Sequence, residues 1–321
     1  MDQIISAVVA VIAVPLVLLG YIILGEKVIE RLPDRMQEWI RPYFWALPAV
    51  GFATVFMIYP MVRTVIVSFR NNDDNAWIGW ANYQYFFTFP DTLTALRNSI
   101  LWLIFYTFFA VVLGLITAIL LDRVRYEPLA KIAIFLPVPI SAVAASIIWK
   151  FMFEYQPTGS TQTGTLNAML AVAHHDPVPW LVDSTTNNAA LIFVGVWTAV
   201  GFCMVIISAS LKAISTEVLE AARIDGANEL QIVWLVVTPL LWPTITVVGT
   251  TMLINALKTF DIVYVMTNGA YDTDVIATRM FSQIQSNHLG RAAAVGVVLF
   301  IAIVPLMLVN IRRFQQQEEQ R

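Results

Sequence analysis

Charge is scarce in this chain: of its 321 residues only 13% are Asp, Glu, Lys or Arg, about half the share of an average soluble domain. The net charge of −3, with no long basic run, leaves no concentrated cationic face, which excludes nucleic acid as a partner. Cysteine is reduced to Cys203. That rules out an internal disulfide and a thiolate metal cluster, and inside its apolar run Cys203 reads as a small core hydrophobe. His174 and His175 stand beside Asp176 without further clustered ligands, and His288 stands alone, so no metal site is expected. A phosphate-binding loop is missing as well. Residues 20–27, GYIILGEK, imitate one but place Glu26 between the second glycine and Lys27, with Val28 where Ser or Thr must follow. No catalytic constellation and no cofactor motif emerges. The chain is therefore not read as an enzyme, and energy has to come from another polypeptide.

Hydrophobic residues, by contrast, make up 58% of the chain, and the mean hydropathy of +0.71 lies outside the range of soluble domains. This is the composition of an integral membrane protein. Apolar runs long enough to cross about 30 Å of hydrocarbon as helix cover 4–24, 44–69, 100–121, 132–153, 189–211, 240–266 and 292–311. They predict an all-α fold of seven transmembrane helices. The first run lacks a basic leading region and a small-x-small cleavage site and is too long for a signal peptide, so it reads as an extra anchor. Orientation follows from the cationic residues between runs. Lys27, Arg31, Arg35, Arg41, Arg123, Arg125, Lys131, Lys212, Arg223, Arg312, Arg313 and Arg321 fall on one side, against Arg70, Arg97, Arg279 and Arg291 on the other. The richer side is cytoplasmic, which puts the N-terminus outside the cytoplasmic (inner) membrane and the C-terminus inside.

Between the fifth and sixth runs lies 212–239, KAISTEVLEAARIDGANELQIVWLVVTP. Ser215 can cap a short helix whose first turn carries Glu217 and Glu220, acids suited to the positive end of the helix dipole. Gly226 can take positive φ and end it, and Asn228 with Gln231 offers a capping box for a second helix. Val218, Leu219 and Ala222 make an apolar stripe too narrow to span a membrane but shaped to dock. This unit resembles the cytoplasmic signature loop of permease subunits in binding-protein-dependent ATP-binding-cassette importers: Glu-Ala-Ala, three residues, Gly, nine residues, Ile-x-Leu-Pro. Glu220, Ala221, Ala222, Gly226 and Pro239 match it, while Val236 and Thr238 replace the isoleucine and leucine. The last six runs then resemble the six-helix core of that family. The resemblance divides the chain into 1–43 (extra helix and cytoplasmic linker), 44–314 (permease core with coupling loop 212–239) and 315–321 (tail).

Two further segments carry a likeness. On the outside, 71–98 holds Trp77, Trp80, Tyr83, Tyr85, Phe86 and Phe87, and 154–188 has no Lys or Arg. Such aromatics can be a belt that anchors helices; IGWANYQYFF also resembles the segment that follows the first core helix of sugar permeases, which implies a face for an extracytoplasmic binding protein. After the sixth run, KTFDIVYVMTNGAYDTDVIATRMF resembles the sugar-permease pattern Phe-Asp-x-x-Tyr-x-x-Thr-x-Gly. Ala270 and Tyr271 stand where Gly-Pro usually follows, and the form is similar to the α-glucoside branch of maltose-type permeases. A disaccharide-sized or glucosyl solute is implied.

Polar groups within spans are the candidates for the solute path, because an ionisable side chain in hydrocarbon needs a cavity or a partner. Lys258 and Asp261, three apart, can meet on one helical face as a structural pair or line the path. Asn255 and Thr259, four apart, can present hydrogen-bonding groups to a hydroxylated solute. Lys150 and Arg63 lie near span ends and read as snorkelling outward. Sugar recognition combines aromatic faces with amides and hydroxyls, which selects Trp197, Thr198, Phe202, Asn255 and Thr259; packing between helices is the plainer account of the aromatics. The resemblance to maltose-type permeases implies solute contacts at Gly195, Thr198, Ala199, Phe202, Met252, Ala256 and Thr259, where several of that family's polar groups are replaced by apolar ones. The resemblance implies alternating access driven by a cytoplasmic ATPase dimer that presses on helix 216–225, with Glu220 as ionic latch and Ala221, Ala222, Asp225, Gly226 and Pro239 shaping the coupling loop. It also implies a second homologous permease, a solute-binding protein, a sugar and the lipid bilayer as partners. An ion-coupled transporter, or a permease for a polyol or glycerol phosphate, is the alternative.

Overall fold

The computed structural model describes residues 2–122 and 124–319; Arg123 and Arg321, two of the cations used for orientation, lie outside them. Regular structure among these residues is helical, apart from one isolated antiparallel bridge, Arg70 to Trp77. In chain order the helices are α1 Asp2–Ile29, α2 Asp34–Ser68, α3 Ala81–Thr88, α4 Pro90–Leu121, α5 Glu127–Phe135, α6 Ala142–Met152, α7 Thr165–Val172, α8 Asn187–Lys212, α9 Thr216–Ile224, α10 Glu229–Leu257, α11 Asp261–Met266, α12 Ile276–Gln285 and α13 Leu289–Glu319. By length and composition, α2, α4, α8, α10 and the 289–308 part of α13 are apolar and long enough to cross a membrane.

Two compact units divide the chain after Arg63. In the first, Pro33 separates α1 from α2. The two helices meet where the Tyr21 and Phe44 rings stack at 4.3 Å and Arg41 pairs with Glu26 at 2.6 Å.

The second unit is built around α8, whose buried face runs from Asn187 to Leu211. Its main neighbour is α4, which turns Ala110, Gly114 and Ala118 toward it, all buried and spaced by four. Small residues at that spacing let backbones approach, the usual way helices pack where lipid removes the hydrophobic drive between them. A Cβ on Gly114 would come within 2.4 Å of the Cys203 Cβ, so Cys203 is a buried packing residue.

Three helices widen into a π turn, at Thr54–Ile58, Trp102–Tyr106 and Ile232–Val237. Two of these end just before a proline, Pro60 and Pro239. There the Tyr59 and Thr238 N–H groups reach back five residues, to the Thr54 and Val233 carbonyls. A proline lacks the N–H that would continue the α register and its ring crowds the carbonyl four residues back, so widening the preceding turn relieves the ladder.

Two expected spans are not single helices. The fourth, 132–153, is broken between α5 and α6 by Pro137 and Pro139; Ser141 restarts the helix, its Oγ accepting from the Ala144 N–H at 3.2 Å. The sixth, 240–266, is broken after Leu257, where Lys258 and Phe260 leave helical geometry and Asp261 opens α11. Lys258 and Asp261 therefore do not share a helical face, and no ion pair joins them among the described residues. Thr259 also lies beyond the helix, although its hydroxyl turns back to the Asn255 carbonyl at 3.3 Å, a polar side chain competing for a terminal acceptor. Lys150 does more than snorkel: its Nζ donates to the Val265 carbonyl at 3.3 Å, tying α6 to α11.

Candidate functional site

The elbow at 213–231 follows from local capping. Ser215 Oγ accepts the Glu217 N–H at 3.2 Å and starts α9. At the other end Gly226 sits at φ +86, the Ala227 N–H bonds to Ala222 O and the Gly226 N–H to Arg223 O, both at 3.1 Å. That pair of reversed bonds closes a helix on a left-handed residue, and glycine takes that conformation without Cβ strain. Asn228 and Gln231 then exchange side-chain and backbone bonds at 2.9 and 2.8 Å, the reciprocal box that opens α10. The second arm of the elbow is thus not separate from the membrane helix: it continues without interruption to Leu257. Arg223 Nε bridges the two arms to Glu229 at 2.9 Å.

The helix divides its apolar residues between two faces. Leu219 and Ala222, with Ile214 and Ala227, pack against the chain's own core. Glu217, Val218, Glu220, Ala221 and Asp225 stay exposed, and Ile224 is 86% exposed. The expected stripe of Val218, Leu219 and Ala222 is therefore split, and its outward half is completed by Ile224. A bare isoleucine beside exposed acids is costly in water and useful against a partner. Pro239 lies exposed just past the π turn of α10.

At the far end of α10, the break after Leu257 opens a cleft of about 240 Å³ lined by Trp102, Tyr106, Ala142, Gly195, Thr198, Asn255, Lys258, Thr259, Phe260, Asp261 and Ile262. It gathers Thr198, Asn255 and Thr259 from the expected set. Trp197 lies off the lining, its ring edge-on to Trp149 at 5.5 Å, and Phe202 is also off it. Trp102 and Tyr106, at the two ends of the π turn in α4, come into the cleft unannounced by the sequence. Gly195 makes room for them: a Cβ there would stand 2.8 Å from Trp102 Cζ3 and 3.1 Å from Tyr106 Cδ2. The lining thus offers aromatic walls, an amide, the hydroxyls of two threonines and a tyrosine, an ammonium and a carboxylate. That set suits a neutral, hydroxyl-rich solute, because it can donate and accept around the solute's rim while covering its apolar face.

Beyond the cleft, the TNGAYDTD segment forms a compact turn. Asn268, Tyr271 and Asp272 hold φ of 54, 57 and 59, a conformation side chains rarely adopt without support. Buried amides supply it: Asn187 Nδ2 donates to Tyr271 O at 2.6 Å, and Asn98 Nδ2 to Asp272 O at 2.6 Å and Asp274 O at 2.8 Å. Desolvation raises the pKa of the Asp274 carboxyl above the ordinary value, although Thr278 and Arg279 partly offset this.

A bundle of long apolar helices, a projecting elbow and a polar cleft where a helix breaks define a multi-pass membrane permease. The chain belongs to the family of binding-protein-dependent transport system inner membrane components, whose model matches residues 110–316. It is 47% identical to the osmoprotective compounds uptake permease protein of Synechocystis sp., over 86% of this chain and 100% of that one. It is 39% identical to the alpha-glucoside transport system permease protein of Rhizobium meliloti, over 87% of this chain and 83% of the other. In fold it is similar to a chain of a bacterial ABC transporter involved in the import of alginate, with a TM-score of 0.75 at 23% identity, covering 88% of this chain and 97% of that chain.

Proposed function

We propose that this chain is the transmembrane permease of an importer that moves a glucoside or similarly sized polyhydroxylated solute across the cytoplasmic membrane, with ATP hydrolysed by a separate subunit. The observation that carries the reading is the cleft, whose lining brings Thr198, Asn255 and Thr259 together with Trp102 and Tyr106. The activities for which the two relatives are named, osmoprotectant and alpha-glucoside transport, agree with such a lining. In this reading Thr198, Asn255 and Thr259 contact the solute, with Trp197 and Phe202 acting from outside the lining. The exposed acids and Ile224 of α9 meet a cytoplasmic ATPase dimer. A second, homologous permease completes the path, and a solute-binding protein delivers to the side of the Tyr271 turn.

The division proposed for the chain remains 1–43, 44–314 and 315–321, with the N-terminus outside and the C-terminus in the cytoplasm. The elbow supplies the mechanics: Leu219 and Ala222 are packed on the core and α10 is continuous from Glu229, so displacement of α9 moves α8 and α10 together as packed elements. Glu220 is the proposed ionic contact, and Ala221, Ala222, Asp225, Gly226 and Pro239 shape the elbow that presents it.

The test is ATPase activity of the reconstituted complex, with binding protein, across a panel of glucosides, a glucosylated polyol, a free polyol, glycerol phosphate and an amino acid. Stimulation by one or more glucosides is expected. Stimulation by the amino acid alone, or solute uptake by this chain with no other subunit, overturns the proposal.

A further inference from the structure

At the elbow end of the bundle, Glu127 on the first turn of α5 accepts from two lysines of different elements. Lys131 Nζ lies 2.5 Å and Lys212 Nζ 2.6 Å from the same Oε1. Lys131 also donates to Ser208 Oγ on α8, and Asp122 at the end of α4 adds its field to Lys212. Lys212 is the last helical residue of α8, so the chain passes from this cluster into the cap of α9 within a few residues.

The other end of α5 points to a consequence. Its backbone lies directly on α8 at Gly201, where a Cβ would meet Ile134 O at 2.7 Å and Phe135 Cα at 2.8 Å. Past the Pro137–Pro139 break, α6 begins with Ala142, which lines the cleft. Thus α5 is held by ions at one end and by bare backbone contact further along, and it leads to the cleft wall.

We propose that Glu127 is a positioning residue that yokes α5 to the root of the elbow, giving α9 a second mechanical route to the cleft, through Ala142, beside the direct one through α10. The proposal rests on the permease reading above. A helix joined to its neighbour only by van der Waals contact can slide along it, whereas a two-lysine clamp on one carboxylate resists sliding at that point. The cluster needs no partner protein to form. It fixes the angle between elbow and α5 before any ATPase engages.

The experiment compares wild type, Glu127→Gln, Glu127→Asp and Lys212→Met in the full reconstituted complex, measuring ATP hydrolysed per solute delivered and ATPase recovered by pull-down. Glu127→Gln and Lys212→Met are expected to raise ATP consumed per solute about fivefold or more, the lower end of ordinary coupling energies. Pull-down should stay at wild-type level and Glu127→Asp should restore most of the ratio. The double variant Glu127→Gln with Lys212→Met should be no worse than the poorer single one, because both remove the same contact. Wild-type stoichiometry in either single variant overturns the proposal. Should Glu127→Gln fail to assemble, the exposed Lys212 substitution decides alone. A wild-type complex that recruits no ATPase is a different result and overturns the permease reading instead.

Discussion

The ring of Trp102 lies on Gly195, so close that a methyl group at position 195 would stand 2.8 Å from its Cζ3. Both residues line the cleft, and the same glycine accommodates the edge of Tyr106. Gly195→Ala should therefore force both rings toward the open space. The overpacking cost is about 1–3 kcal/mol, and the half-saturating solute concentration for ATPase stimulation should rise while ATPase recruitment stays normal. Unchanged stimulation together with an unchanged melting temperature would show that the rings have room to retreat.

Within the cleft, Thr259 can offer its hydroxyl by giving up only a long bond of 3.3 Å to Asn255 O. Thr259→Val keeps the shape and removes the group. The half-saturating solute concentration should rise about fivefold, the worth of one net hydrogen bond, with insertion and assembly intact. Transport kinetics equal to wild type would remove Thr259 from the list of contacts.

On the elbow, Glu220→Lys reverses the exposed charge and Ile224→Ser removes the outward apolar group. Each should lower ATPase recovered with the complex about tenfold or more, as substitution of a buried interface anchor does. Membrane insertion should be unaffected, because neither residue faces the bundle. Pull-down at wild-type level by both variants would mean that this face is not the docking surface.

The Glu127 carboxylate is held below the ordinary carboxylate range, first by the hydrogen bond from Lys131 and then by that from Lys212. A depressed pKa in the folded state means stability present above the unfolded value and lost as pH falls through the folded one. The difference in melting temperature between wild type and Glu127→Gln should thus persist from neutral pH down through the ordinary carboxylate range and close only in stronger acid. A difference that already vanishes near pH 6 would contradict the clamp.

How far the sequence carried depended on the distance over which a signal acts. Ser215, Gly226, Asn228 and Gln231 act within one helical turn, and each does in space what its spacing announces. Lys258 and Asp261 show the limit of the same reasoning. Their spacing of three brings side chains together only if the helix continues, and it ends between them. Trp102 and Tyr106 carried no usable signal, because a π turn changes which residues share a face and apolar composition does not reveal it.

Composition and local pattern by themselves determined that the chain is helical and membrane-embedded, that it bears a capped elbow between two spans, and that residues 212–239 match the signature of its family. Those properties arise from hydropathy summed along the chain and from hydrogen bonds between near neighbours. Tertiary structure alone decided which side of α9 turns inward, which polar residues share a cleft, and that one carboxylate on α5 grips the end of α8. Each of these needs residues far apart in sequence to meet, and the meeting is set by close approach of helices at Gly114, Gly195 and Gly201, where a missing side chain on one element makes room for its neighbour.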